Sequence, residues 1–142
     1  MISWCLRPAT PADVEPIAEL RAVVLRPDLE RLGRYDERRV RQRFRDSFDP
    51  AHAWIIEDSD RFAGSIALRP ADGVVWLEHF FLDPQLQGRG LGSAVLQHVL
   101  DSHPGVVRLN VLQGSPARRL YERHGFTVDS EDPVDVYMTR GV

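Results

Sequence analysis

The chain contains no lysine; every one of its 18 Lys/Arg residues is an arginine. A Walker-type phosphate loop needs a lysine after its last glycine and is excluded on that ground. Cysteine is nearly as scarce. Cys5 stands alone in an apolar stretch, so no internal disulfide framework can form, and a packed thiol in a reducing compartment is the expectation. No apolar run approaches the length of a membrane span, and no charged-then-apolar leader is present. A cytoplasmic protein without a membrane partner is expected. The histidines, His52, His79, His98, His103 and His124, show no H-E-x-x-H or other ligand spacing, and no metal is expected. A formal net charge of −3 argues against general nucleic-acid affinity. Repeats, low-complexity tracts and linkers are also missing.

What is present describes one soluble globular domain over residues 1–142, with 43% hydrophobic residues and both charge signs mixed. Ile2–Arg7 reads as a first strand. A helix follows with Ile17, Leu20 and Val24 on one face, Asp13 as its N-cap and Pro16 in its first turn; Arg26-Pro27 should end or bend it. Tyr35–Phe48 reads as a second helix with a thin stripe of Val40, Phe44 and Phe48. Residues 31–45 carry seven arginines against Asp36 and Glu37. They form either a solvated face whose stems cover the seam or a rim that draws in an anionic acceptor. Trp54–Glu57 and Phe62–Leu68 read as paired strands, and the turn Pro70–Gly73 leads into a strand over Val74–Leu82. Val106–Leu112 is a further strand, and Ser115 with Pro116 opens a helix to His124 that Gly125 stops. Phe126–Val128 and Val134–Met138 close the chain as a hairpin. The order β–α–α–β–β–β–α–β–α–β–β predicts a mixed sheet with helices on both faces.

The most informative stretch is Leu82-Asp-Pro-Gln-Leu-Gln-Gly-Arg-Gly-Leu-Gly-Ser93. It runs from a buried strand, through glycines at 88, 90 and 92, into a helix marked by Leu91, Val95 and Val99. Bare amides at a helix start, the helix dipole and the charge of Arg89 together favour a bound anion, and the local reading is a pyrophosphate cradle. The dinucleotide fingerprint G-x-G-x-x-G does not fit, because Ser93 stands where its third glycine belongs.

The pattern that fits is Gln87-x-x-Gly90-x-Gly92. With Ser115-Pro-Ala-Arg-Arg-Leu-Tyr-Glu-Arg-His-Gly-Phe126 downstream and the opening Leu6–Asp13, the chain resembles the GNAT-type N-acetyltransferase superfamily. The resemblance implies an α/β fold of the α+β type: a mostly antiparallel central sheet of about seven strands. It implies acetyl-CoA as acyl donor, direct acetyl transfer to a primary amine in a ternary complex, and a small-molecule or peptide acceptor. Its diphosphate would meet the backbone amides of Gly88, Arg89, Gly90, Leu91, Gly92 and Ser93, and its pantetheine arm would run along Phe80, Phe81 and Leu82. Gln87 is either a loop-stabilising amide or a ligand contact. The family's asparagine is replaced by Gly114-Ser115, and Ser115 is left as a smaller polar contact. Exposed strand edges in such sheets allow a homodimer.

The resemblance places Tyr121 as the acid that protonates the departing thiolate. An amine must lose its proton before it attacks, and Glu78 is the first candidate base, with His79 second. These two are adjacent on the strand, so regular geometry points them to opposite sheet faces, with Glu78 sharing the face of Phe80 and Leu82. An ion pair with a neighbouring arginine is the competing role for Glu78. In the same family the segment between the first two helices helps wall the acceptor site, which draws attention to Tyr35 and Asp36. The rival to an enzyme is a noncatalytic coenzyme A-binding sensor or regulatory module.

Overall fold

The computed structural model describes residues 3–141. Ile2, expected at the head of the first strand, lies outside them. Strands β1 (Trp4–Pro8), β2 (Ala53–Asp58), β3 (Arg61–Ala71), β4 (Val74–Leu82), β5 (Val107–Leu112), β6 (Thr127–Glu131) and β7 (Asp135–Arg140) alternate with helices α1 (Val14–Arg31), α2 (Glu37–Ser47), α3 (Leu91–Asp101) and α4 (Ala117–Arg123). The strands form one sheet in the order β1-β2-β3-β4-β5-β7-β6. Every pairing is antiparallel except β4 with β5. The expected mixed, mostly antiparallel sheet with helices on both faces is the fold found.

Two apolar layers fill the faces. Leu91, Val95, Leu96, Val99 and Leu100 of α3 and Tyr121 of α4 pack on Ile56, Ile66, Leu77 and Leu109. On the other face Ile17, Ala18 and Leu20 of α1 and Phe44 of α2 pack on Ile55 and Phe81. Adjacent Ile55 and Ile56 are both fully buried, one in each layer, as strand alternation requires. Truncating either isoleucine to alanine costs about 2–5 kcal/mol by lost burial and the cavity left behind.

Three local readings need correction. Helix α1 runs through Pro27 to Arg31, so of the two outcomes expected at Arg26-Pro27, an end or a bend, the end does not occur. The carbonyl deprived of a partner by Pro27 belongs to Val23, whose residue is 56% exposed, so water can satisfy it. Asp13 stands at the N-cap of α1 without a side-chain cap bond. Its carboxylate is held instead by Arg7 at 2.9 and 2.8 Å and by the Thr10 amide at 2.8 Å, and the guanidinium holds its pKa down to about 2. The second hairpin turns later than expected: Pro70 is a strand residue paired with Val75, and the turn is Asp72-Gly73, with φ of 50° and 79°, the left-handed pair that suits a tight hairpin.

The feature that opens the site is the divergence of β4 from β5. Only Val75 with Val107 and Trp76 with Arg108 pair across this junction. Beyond Trp76 the two strands separate, and the sheet divides into β1–β4 on one side and β5–β7 on the other.

Candidate active site

The gap between the strands continues into a cleft of about 1330 Å³. Its floor is the end of β4, and Gly88, Gly90, Gly92 and Ser93 stand at one side. Tyr121 and Ser115 also reach it, as do Arg21 of α1 and Arg43 of α2. Residues expected at the donor site from three separate parts of the sequence therefore line one space.

Gly90 is the N-cap of α3 with φ of 82°, and a Cβ built on it would meet nothing within 4 Å. The glycine is needed for the left-handed backbone, and the volume beside it is open. The first ladder bond of α3 runs from the Ala94 amide to the Gly90 carbonyl at 3.0 Å. No acceptor among the described residues takes a hydrogen bond from the amides of residues 88–93. Such a run of free donors at a helix N-terminus is a cradle for an anion. The third glycine has a different reason. A Cβ on Gly92 would stand 3.2 Å from the Leu82 side chain, so its smallness serves the packing of α3 on β4.

The remaining loop residues divide by role. Gln87 donates from Nε2 to the Leu82 carbonyl at 3.1 Å, which pins the loop to the end of β4. The Leu91 side chain is buried in the core, leaving only its backbone for a ligand. Arg89 does not line the main cleft; it borders a shallow depression with Trp4, Asp58 and Ser59. Ser93 Oγ lies 2.8 Å from His124 Nε2, whose Nδ1 lies 3.1 Å from Gln97 Oε1. Burial first, then Arg123 and Arg140, lower the His124 pKa. Ser115 Oγ accepts from the Ala117 amide at 3.2 Å, and α4 starts at Ala117 and stops at Arg123, inside the expected range.

The end of β4 is irregular, and this overturns the expectation that Glu78 and His79 face opposite ways. Ala67 pairs with Glu78 but Ser65 pairs with Phe81, so β4 carries an extra residue against β3. The bulge falls at His79, whose φ is 51°. Phe80 and Leu82 pack with the α3 layer while Phe81 packs with the α1 layer. His79 lies on the side of Phe81, edge-on to Phe44 with ring centroids 4.8 Å apart. Glu78 and His79 both line the cleft, with Glu78 Oε2 and His79 Nε2 3.9 Å apart. The shared face of Glu78 with Phe80 and Leu82 is thereby lost. Two neighbours hold the bulge: Ser65, buried, donates to the His79 carbonyl at 2.7 Å, and Gly64 lets β3 approach so closely that a Cβ there would lie 2.0 Å from the Phe81 carbonyl oxygen.

Electrostatics separate the polar groups of the cleft. Glu78 Oε1 accepts from Arg69 Nε and Nη2 at 2.9 and 2.7 Å, so the ion pair named as its competing role is present and Oε2 remains. Burial pushes His79 down to about 4, with Arg21 and Arg69 adding to the fall and Glu78 opposing it; its ring is neutral near pH 7. Burial raises the Tyr121 hydroxyl above its ordinary pKa, so it keeps its proton under all working conditions. Its ring meets Phe126 edge-on at 5.7 Å.

Residues on the α1–α2 side were the least legible. Tyr35 and Asp36 do not line the cleft. Arg26 lies over the Tyr35 ring at 4.7 Å, and Asp36 Oδ1 caps α2 through the amides of Arg38 and Arg39 at 3.0 and 2.8 Å. Arg21 does line it, and its signal was a charge set one helical turn beyond Ile17 on an apolar face. Asn110 and Arg31 carried no such signal; Arg31 Nη2 donates to the Gln113 carbonyl, tying the end of α1 to the loop after β5. Among the described residues no group of three or more His, Cys, Asp or Glu is placed to hold a metal ion, and no helix is long and apolar enough to cross a membrane.

A run of free amides at a helix start, a diverging strand pair and the side chains of Glu78, His79 and Tyr121 thus meet on one cleft. A family model described as the acetyltransferase (GNAT) family matches residues 14–126, and the chain belongs to that family. Spermine/spermidine N(1)-acetyltransferase of Bacillus subtilis (strain 168) is 36% identical over 66 residues, covering 42% of this chain and 43% of that protein. Mycothiol acetyltransferase of Beutenbergia cavernae is 34% identical over 103 residues, covering 67% of this chain and 33% of that protein. The chain thus spans less than half the length of these relatives. A PaiA N-acetyltransferase of Thermoplasma acidophilum, solved in complex with coenzyme A, shares the fold with a TM-score of 0.78 at 18% identity over 99% of both chains.

Proposed function

We propose that the protein is an acetyl-CoA-dependent N-acetyltransferase that moves the acetyl group directly to a primary amine. The observation that carries this reading is the run of unpaired amides over residues 88–93, opening onto the same cleft as Tyr121, Glu78 and His79. The cradle fits a diphosphate because its donors are free and the space beside Gly90 is open. The amides of Gly88 to Ser93 would hold that diphosphate, and the free backbone edge at Phe80, Phe81 and Leu82 would receive the amide-rich arm of the cofactor. The thioester supplies an activated acetyl group.

The side chains then divide the proton work. The amine enters as an ammonium ion and gives a proton to the Oε2 side of Glu78, directly or through the neutral His79 ring. The free nitrogen forms its bond to the acetyl carbon, the carbon–sulfur bond breaks with its electron pair on sulfur, and Tyr121 gives that sulfur its proton; the second proton shed by the nitrogen restores the phenol, and the first leaves Glu78 for solvent. Burial keeps the Tyr121 hydroxyl protonated and ready to donate, and because a thiolate is a weaker base than the tyrosinate it would leave, the transfer depends on the proton that the acetylated nitrogen returns to the ring oxygen. A backbone N–H at the end of β4 would polarise the thioester carbonyl, a donor fixed by the fold rather than by a flexible side chain.

Release of free thiol from acetyl-CoA, measured with a panel of amines, tests the reading. Amine-dependent release that falls in Tyr121→Phe supports it. Tight acetyl-CoA binding with only background release from both proteins favours a noncatalytic binding module.

A further inference from the structure

We propose that the acceptor is an amine that also carries an oxyanion, and that Arg21, Arg39 and Arg43 on the α1–α2 wall receive that negative group. This deepens the acetyltransferase reading and rests on it. The two helices sort their charges by side. On the outer side, Arg41 pairs with Glu19 at 2.8 Å and Arg45 pairs with Glu15 at 2.8 Å. On the side facing the cleft, Arg21, Arg39 and Arg43 have no carboxylate within 4.0 Å among the described residues, although all three line it. The arginine-rich segment is therefore a solvated, paired face along one edge and an uncompensated rim along the other.

The carboxylates that share the cleft are already engaged. Asp28 pairs with Arg31 at 2.7 Å, and Glu78 is held by Arg69. Asp132 Oδ1 accepts the amides of Val134 and Asp135 at 2.8 and 2.7 Å, and Asp135 accepts from Asn110 at 3.0 Å. None of them comes within 4.0 Å of Arg21, Arg39 or Arg43. Arg21 is the most exacting of the three. Its Nη1 donates to the Val40 carbonyl, while its Nε is buried without a hydrogen-bond partner. Burial, and secondarily Arg43, lowers its pKa. A half-buried guanidinium with one N–H unpartnered and no counter-ion is costly, and a ligand oxyanion offsets that cost. The planar forks suit a carboxylate or a phosphate equally, and a polycation such as a polyamine would meet like charge on this wall.

The test compares kcat/KM for matched acceptors: an amino acid, its carboxamide, its decarboxylated amine, the corresponding aminophosphonate and spermidine. The oxyanion-bearing amines should exceed the decarboxylated amine by about tenfold or more. The better of carboxylate and phosphonate identifies the group. Arg43→Gln should reduce that preference to near parity and Arg43→Glu should reverse it, while Arg45→Gln, on the outer side of the same helix, keeps it. A second arm needs no turnover: with coenzyme A present, calorimetry compares an N-acetylamino acid with its carboxamide. Selective binding of the acid, lost in Arg43→Gln, supports the oxyanion site even if no amine is acetylated, and in that case only the acetyltransferase reading falls. Equal or better turnover of spermidine, or equal binding of acid and carboxamide, overturns the proposal.

Discussion

Arg69 grips Glu78 by one oxygen only: both guanidinium contacts, at 2.9 and 2.7 Å, fall on Oε1. The other oxygen faces His79 at 3.9 Å. A structural ion pair and a proton acceptor can thus share one carboxylate. If Oε2 is the base, Glu78→Gln lowers kcat by about a hundredfold or more and alters the pH–rate profile, with acetyl-CoA affinity kept. Full activity with an unshifted profile assigns the proton to His79 or to solvent.

The bulge residue should leave a mark on stability. His79 sits near 4 in the folded state against an ordinary 6.5, so between those values the unfolded chain binds a proton that the folded chain resists. Its contribution is complete above about pH 6.5 and drains away as the pH falls toward 4, by at most about 3 kcal/mol. Urea titrations of wild type and His79→Gln across this window should show a shallower dependence on pH in the variant.

At the cradle, Gly90→Asp places a side chain on a backbone with φ of 82° and a negative charge among donors meant for an anion. Acetyl-CoA affinity should fall by about tenfold or more. Gly90→Ala separates strain from charge and should lose less. Gly92→Asp acts differently, because its Cβ meets Leu82 at 3.2 Å; it should lower the melting temperature as well as affinity. Calorimetric binding beside thermal melts distinguishes the two sites.

Removing the Tyr121 hydroxyl keeps the ring that packs on Phe126. Tyr121→Phe should therefore fold normally and bind acetyl-CoA unchanged, while kcat drops by about a hundredfold. A variant with undiminished kcat excludes Tyr121 as the acid.

Ser65 supplies the simplest test of the bulge itself. Ser65→Ala leaves the part-buried His79 carbonyl without its 2.7 Å donor and should cost about 1–3 kcal/mol of stability. Chemical denaturation measures that loss.

The element order and the position of the cradle could be read from the chain because they rest on short-range signals: apolar period, turn residues and glycines at fixed offsets. The course of α1 through Pro27 was harder, since it depends on whether the orphaned Val23 carbonyl faces water. The bulge at His79 had no local signature. It arises from the register of β3, with Ser65 and Gly64 as its supports, and it moved Glu78 and His79 onto the same side. The division of arginines between paired and free likewise depends on which side of α2 meets Glu15 and Glu19, a fact of helix packing that spacing alone does not contain.

Since β4 and β5 share just two residue pairs, an unsatisfied strand edge lies in the middle of the sheet instead of at its border. Such edges capture any narrow extended chain that reaches them. On the proposed reading the donor's peptide-like arm would act as a missing rung, and the protein without it would be the form open to misassociation. On that reading, added donor should reduce aggregation of the purified protein, as light scattering with and without it would measure.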